Sequence, residues 1–280
     1  MGDFDTLALF ARNDLTRTGL HDAAERRGLT VIPLSPDAQS VTRAAGPGVA
    51  FRAPGGLMAQ ALGRGTTVRL FGPTVEWFVS LGAGITGRSW SLVTASQARK
   101  MLGSGPVFIK LADAKRRDMP ARRYLDVAAF NSVTAPLEGA EQWELLATTG
   151  WFDIDSEYRV FTCGREELTT SPYWVQDEPW TPLLCTHRAS LHLEAAQWVT
   201  DLLCALPADD VPPAAVLDVA RLSDGRLVLL EANQCWGSGL YGCDPHDALD
   251  AILTANTAGH DERWLWRPDQ AATPENVNSG

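Results

Sequence analysis

Lysine is scarce in this chain. There are three, Lys100, Lys110 and Lys115, against twenty-one arginines. In so arginine-rich a composition, a retained lysine points to a need for a compact ammonium rather than a planar fork. Long apolar runs are missing: none approaches the roughly 18 residues of a membrane span. The N-terminus, Met1-Gly-Asp-Phe-Asp-Thr6, lacks the basic-then-apolar order of a secretory signal, so the cytoplasm is the expected location. Five cysteines, an odd number without a regular framework, exclude a disulfide scaffold, and Cys235 and Cys243 do not match any zinc-knuckle spacing. No GxxxxGK[ST] phosphate loop is present. Gly82-Ala-Gly-Ile-Thr-Gly87 has GxGxxG spacing, but a helical pattern precedes it and no helix start follows, which argues against a nicotinamide or flavin site. Nothing links a serine, histidine and aspartate, or a cysteine and histidine, into a nucleophilic site. The formal charge of −10 disfavours nucleic acid or an anionic membrane as partner.

What is present reads as mixed α and β structure of ordinary globular composition. Strands are expected at 7–11, 31–34 and 68–71, with a helix at 18–27 that Gly28 stops. Residues 35–66, rich in Gly, Pro and Ala, read as loops with little regular structure. A short helix follows at 76–81. Thr94-Ala-Ser-Gln97 fits a capping box opening a helix to about Leu102. Further strands are expected at 107–110, 142–147, 157–163 and 168–174. Helices are expected at 189–206, with Leu191, Ala195, Trp198, Leu202 and Leu206 on one stripe, and at 246–256. A lobe from 1 to 92, a larger unit from 93 to 265 that divides near 150, and a loose tail at 266–280 describe the organisation.

The most informative segment is Ala214–Asn233. Two β-branched-rich runs flank Asp224-Gly225, the signature of a two-residue hairpin turn. Ser223 then faces Arg226, and counting outward sets Asp218 opposite Glu231, with Cβ atoms about 4.5–5.5 Å apart. Asn233 shares their face by the strand period of two. The rest of that face is apolar: Val216, Ala220, Leu222, Leu227 and Leu229. Opposed carboxylates on such a surface repel and are costly to desolvate. The competing reading is an acidic face turned to water, but the apolar neighbours argue against it. A hard cation held by oxygen ligands removes the conflict, and Mg²⁺ bound with nucleotide phosphates is the usual case.

Upstream, Lys110 ends an apolar strand, where an ammonium suits a phosphate. Lys115 follows closely. Arg159 lies in a period-two strand whose plain reading is a surface pair with Glu157.

Together these residues resemble an ATP-grasp carboxylate–amine ligase. Asp218 with Glu231-Ala-Asn233 resembles that superfamily's magnesium triad, and Val107–Lys115 its phosphate-gripping strand. Lys-x-Ala-Asp-x-Lys at 110–115, Glu157-Tyr-Arg-Val-Phe161 and Glu231–Pro245 resemble a bacterial clade named for its arginine and lysine residues. The chain departs at Leu111, where proline is expected, and at Ala114, where an acid is expected.

The resemblance implies an α+β ATP-grasp fold, two α+β lobes (about 93–150 and 151–265) clamping ATP behind a small N-terminal α/β lobe. Lys110 and Lys115 would hold phosphates. The segment Trp143–Gly150, with Glu144, Ala147 and Thr148, would meet adenine, and Asp218, Glu231 and Asn233 would hold Mg²⁺. Arg159, Lys110 and the backbone N–H groups of Gly237, Ser238 and Gly239 would serve catalysis. Arg122 and Arg123 are candidates for a substrate carboxylate. The implied reaction joins a small carboxylate, an amino acid or peptide, to an amine through an acyl phosphate. The rivals are a nucleotide-binding module without chemistry and a kinase-like enzyme that stops at phosphoryl transfer. No nucleic acid or membrane partner is expected, and a homodimer is left open.

Overall fold

The computed structural model describes residues 4–113, 115–175, 178–179 and 189–269. Three sheets organise it. The first is parallel, with β1 (Thr6–Leu9) between β2 (Thr30–Pro33) and β3 (Val49–Arg52). Helix α1 (Asp14–Arg26) joins β1 to β2, and its start is set by the Asn13 side chain accepting from the Thr16 N–H at 3.0 Å.

Residues 35–66 are not the loops that their composition predicts. They contain α2 (Ala38–Ala44), β3 and α3 (Gly55–Gly63). Asp37 caps α2 by accepting from the Ser40 N–H at 2.9 Å. Phe51, Leu57, Met58 and Ala61 are buried. Each element is too short, and α3 too rich in glycine, for a periodic pattern to emerge over a helical window.

After α4 (Val75–Ser80) and α5 (Ala83–Thr86), the second sheet is antiparallel and ordered β4-β7-β5-β6. Its strands are β4 (Ser91–Val93), β5 (Val107–Leu111), β6 (Arg122–Tyr124) and β7 (Leu145–Thr148), with α6 (Ala95–Leu102) and α7 (Val127–Thr134) between them in sequence. The Thr94–Gln97 capping box is formed. β7 lies later than the strand expected at 142–147, because a 3₁₀ turn occupies Ala140–Gln142.

The third sheet is ordered β10-β9-β8-β11-β12, all antiparallel. It comprises β8 (Ile154–Cys163), β9 (Glu166–Val175), β10 (Glu178–Pro179), β11 (Ala214–Leu222) and β12 (Leu227–Asn233). Helices α8 (Ala189–Ala205) and α9 (Pro245–Asn256) complete the described elements. On one side of this sheet Val160, Leu217, Val219 and Leu229 pack with Ala195, Val199 and Leu203 of α8. On the other, Phe161 and Val216 share a core with Leu249 and Ile252 of α9 and with Leu7 and Phe51 of the first sheet. That core runs unbroken from the first sheet into the third, so it does not respect the boundary drawn at 92. β4 also begins ahead of that boundary.

Two further expectations need correction. The strand at 68–71 is extended chain with a single bridge, Phe71 to Leu265. Its backbone bonds go to the end of α9 and to the following segment: Phe71 N donates to Ala255 O, and Trp266 N to Leu70 O, each at 2.8 Å. The tail is also not loose from 266, since Trp266 is buried and donates from Nε1 to Asp113 Oδ2 at 2.7 Å. Residues 270–280 of that expected tail lie outside the described residues. No helix among the described residues is long and apolar enough to cross a membrane.

Candidate active site

The β11–β12 hairpin delivers the acidic residues by a route the sequence does not reveal. Its turn is a three-residue loop, not two: Leu222 N donates to Arg226 O at 2.8 Å, and Gly225 takes a positive φ of 87°. Arg221 therefore pairs with Leu227, one residue out of the expected register. A β-bulge between Asp218 and Val219 then absorbs Leu230 and restores it, so Asp218 does face Glu231. The apolar surroundings change accordingly. Val228 and Leu230 pack with Ala220 and Leu222, whereas Leu229, expected on the acidic face, packs with Leu217 and Val219 on the other side.

The next strand extends the row. Arg159 of β8 pairs across from Asp218, and Ser171 of β9 across from Arg159. Asp218 is 2% exposed and Arg159 6%. Their bond is bidentate: Arg159 Nε donates to Asp218 Oδ1 at 2.8 Å and Nη2 to Oδ2 at 2.7 Å. Arg159 is thus not the surface partner of Glu157, whose carboxylate accepts from the Tyr173 hydroxyl instead. Desolvation opposes the Arg159 charge, but Asp218 outweighs it and raises the guanidinium further above its ordinary value.

Glu231 is held by both lysines. Lys110 Nζ donates to Oε1 at 2.8 Å and Lys115 Nζ to Oε2 at 3.1 Å. Burial works to raise this carboxyl, and the two ammonium groups more than reverse it, holding it well below the usual carboxylate range. Asn233 Nδ2 donates to Asp218 Oδ2 at 2.9 Å and to Glu231 Oε2 at 3.1 Å. Three cationic side chains therefore surround the two carboxylates. An Mg²⁺ ion fits this donor set: two carboxylates, plus the Asn233 amide oxygen, which a flip of the amide would present. Lys110 and Lys115 would then be released to phosphates.

Lys110, Lys115, Arg159, Glu231 and Asn233 all line one cavity of about 440 Å³. Its other wall comes from the first sheet, through Arg12, Asn13, Arg52 and Gly55. Gly237, Ser238 and Gly239 line it too, but not as the expected ring of free N–H groups. Gly237 N donates to Gln234 O and Ser238 N to Cys235 O, closing a 3₁₀ turn. The loop offers carbonyls instead, Ser238 O to Arg52 and Gly239 O to Arg159.

The adenine expectation changes most. β7 is an interior strand, bonded to β4 on one side and β5 on the other, so its backbone between Leu145 and Thr148 is already engaged. Leu146 lines the cavity; Glu144, Ala147 and Thr148 do not. Glu144 is exposed, while Ala147 and Thr148 are buried within the second sheet. Arg122 and Arg123 also lie away from the cavity, on β6, with their guanidinium groups over Tyr124 and Trp151.

Sequence reasoning missed three contributors. Arg52 is buried at the end of β3. Tyr241, the one non-glycine residue with positive φ among those described, stacks on Tyr173 at 5.0 Å, with Arg159 over both rings. Asp113 is buried against Trp266, and desolvation lifts its carboxyl to about 7. Arg52 had a visible signal: like Lys110, it is a cation ending an apolar strand.

A family model for an ATP-grasp domain, the second family of its clade, matches residues 86–251, more than half of the chain. The chain belongs to that ATP-grasp family. Solved structures agree on the fold. N5-carboxyaminoimidazole synthetase from Staphylococcus aureus, complexed with ADP, superposes with a TM-score of 0.52 at 12% identity, over 92% of this chain and 80% of that one. A RimK domain ATP-grasp protein from Sphaerobacter thermophilus gives 0.51 at 17%, over 89% and 99%. D-cycloserine synthetase DcsG gives 0.52 at 15%, over 89% and 98%. No curated protein matches the chain. The α+β ATP-grasp fold is therefore the architecture of this molecule, and residues from all three of its sheets line the cavity.

Proposed function

We propose that this protein is an ATP- and Mg²⁺-dependent ligase that joins a carboxylate, an amino acid or small peptide, to an amine, acting in the cytoplasm. One observation carries the reading. Asp218, Glu231, Asn233, Lys110, Lys115 and Arg159, from four strands and one loop, converge beside a single cavity with the 237–239 loop across from them. Bound at Asp218, Glu231 and Asn233, Mg²⁺ would supply charge neutralisation for the nucleotide phosphates.

Lys110 and Lys115 exchange Glu231 for phosphate oxygens and orient the γ-phosphoryl group. A carboxylate oxygen of the acid attacks γ-phosphorus, the bond to the β-phosphate oxygen breaks, and ADP leaves with that electron pair. The amine nitrogen then attacks the acyl carbon, the carbon–oxygen bond to phosphate breaks, and phosphate departs as the nitrogen loses a proton. Arg159, fixed by Asp218 and Gly239 O, holds its charge beside the group that becomes anionic. The walls formed by Leu146, Trp236 and Trp266 limit access of water.

ADP release over a panel of amino acids and short peptides, with mass spectrometry of any product, tests this. Hydroxylamine is expected to trap an acyl hydroxamate. Glu231→Gln and Asn233→Ala are each expected to abolish ADP formation with folding retained, and unchanged turnover in both would remove the metal assignment. A product that keeps the γ-phosphate and gives no hydroxamate would mark a kinase-like enzyme. Nucleotide binding without turnover across the panel would favour a binding module.

A further inference from the structure

The first sheet contributes a wall to the cavity, and that wall carries a charge the ligation site does not use. In the order β2-β1-β3, the chain leaves β1 toward β2 on one side and β3 lies on the other. In open parallel sheets, ligands bind outside the carboxyl ends of the strands where that direction reverses. Here the crevice lies between the ends of β1 and β3. Arg12 and Asn13 enter the cavity from one, and Arg52, Gly55 and Gly56 from the other.

Arg52 is 4% exposed and has no carboxylate partner among the described residues. It donates from Nη1 to Phe10 O at 2.7 Å and from Nη2 to Ser238 O at 2.6 Å, and its Nε has no partner. Burial lowers its pKa to about 10, with Arg159 contributing, so it remains charged at neutral pH. Arg159 is neutralised by Asp218; Arg52 has only two carbonyls. A buried charge so weakly compensated is costly unless a ligand completes it.

Two further donors face the same need. Trp236 Nε1 is buried, without a partner, and its residue lines the cavity. Helix α3 begins at Pro54 with no side-chain cap and no acid in its first turn. Its first N–H groups, at Gly55 and Gly56, have no intrahelical acceptor by the geometry of a helix start, and anions are favoured there.

We propose that Arg52, Trp236 and the start of α3 form a subsite for a second oxyanion of the acid substrate, a carboxylate or phosphate distinct from the carboxylate activated beside Arg159. The 238–239 turn sets the two apart, since Arg52 holds Ser238 O and Arg159 holds Gly239 O. The substrate class is then an acid with an additional anionic group, rather than a simple monocarboxylate. Assigning the anion to the acid substrate rests on the ligase reading above; the existence of the subsite does not.

Thermal unfolding of the full chain with succinate, acetate or inorganic phosphate, at constant ionic strength and with and without saturating ADP·Mg²⁺, tests the subsite. ADP·Mg²⁺ keeps added phosphate off Lys110 and Lys115. The expected result is a saturable rise in Tm for the wild type, with apparent affinity about tenfold weaker or worse in Arg52→Gln, as for loss of a charge-assisted bond. Gly55→Pro is the second variant. It removes one N–H while suiting the first helical position, and Pro54, at ψ 143°, tolerates a following proline. It decides the question if Arg52→Gln does not fold. A response to carboxylates alone or to phosphate alone identifies the anion. An equal anion response in wild type and variants, or none in the wild type, overturns the proposal. If ADP·Mg²⁺ shifts no form while anions still act through Arg52, the ligase reading fails and the subsite stands.

Discussion

Replacing Arg159 by methionine isolates the energetics of the buried row. The guanidinium and the Asp218 carboxylate are 6% and 2% exposed and share two bonds of 2.8 and 2.7 Å. In Arg159→Met the methionine fills much of the volume, but Asp218 keeps only the Asn233 amide, at 2.9 Å, as its partner. Removing one member of a buried ion pair costs about 3–5 kcal/mol, because the surviving charge is stranded. At about 2 °C per kcal/mol for a chain of this size, Tm falls by about 6–10 °C. Two controls assign the loss. Arg159→Met with Asp218→Leu recovers most of it, since an apolar pair can replace a buried salt bridge with little net cost. Millimolar Mg²⁺ raises the Tm of the single variant more than that of the wild type, because a cation can take over the guanidinium's electrostatic role. Scanning calorimetry with and without Mg²⁺ measures all three. A fall below about 2 °C, or a double variant no more stable than the single one, would refute the stranded-charge argument.

Asp113 makes stability depend on pH. Its folded carboxyl titrates near 7, raised by desolvation, so the folded state binds its proton more tightly than the unfolded chain does. Stability therefore declines as pH rises from about 4 to about 7, by at most about 4 kcal/mol from this group. Asp113→Asn, which can still accept from Trp266, is expected to flatten that slope and to be more stable than wild type above pH 7; urea unfolding across the range checks it, and an unchanged slope counts against the assignment. Gly87→Ala tests a backbone requirement. Gly87 has φ 71°, and an added Cβ would meet Val228 Cγ1 at 2.8 Å and Phe152 Cε1 at 2.9 Å. Left-handed backbone costs alanine about 1–2 kcal/mol and overpacking about 1–3, so Tm is expected to drop by about 4–10 °C. A drop under about 2 °C would show that the turn adjusts freely.

The legible parts of this chain were those whose cause is local. Thr94 with Gln97 starts a helix because both partners lie within one turn. The strands carrying Lys110, Arg159, Asp218 and Glu231 could be read because alternating apolar residues report a buried face. Residues 35–66 were not legible, because β3 is a strand only by virtue of pairing with β1 more than forty positions earlier. The adenine assignment went astray for a related reason. Whether the backbone of β7 is free depends on neighbours from distant segments, β4 and β5, and both turned out to engage it.

The acidic trio marks the division between sequence and structure. Its residue types, their spacing and the awkwardness of two carboxylates on an apolar sheet follow from the sequence alone, and with them the resemblance to ATP-grasp ligases. The route to Asp218 opposite Glu231 does not. A three-residue turn and a bulge at Leu230, each worth one residue of register, cancel, and the sum of two opposite errors leaves no trace in the residue count. The partners that neutralise the pair were also decided by tertiary structure. Lys110 lies 121 positions from Glu231 and Arg159 lies 59 from Asp218. Arg52 lies 186 positions from the Ser238 carbonyl it holds. Short-range preferences select turns, caps and strand faces. Which charges share a buried cavity is set by how three sheets pack, and that is a property of the whole chain.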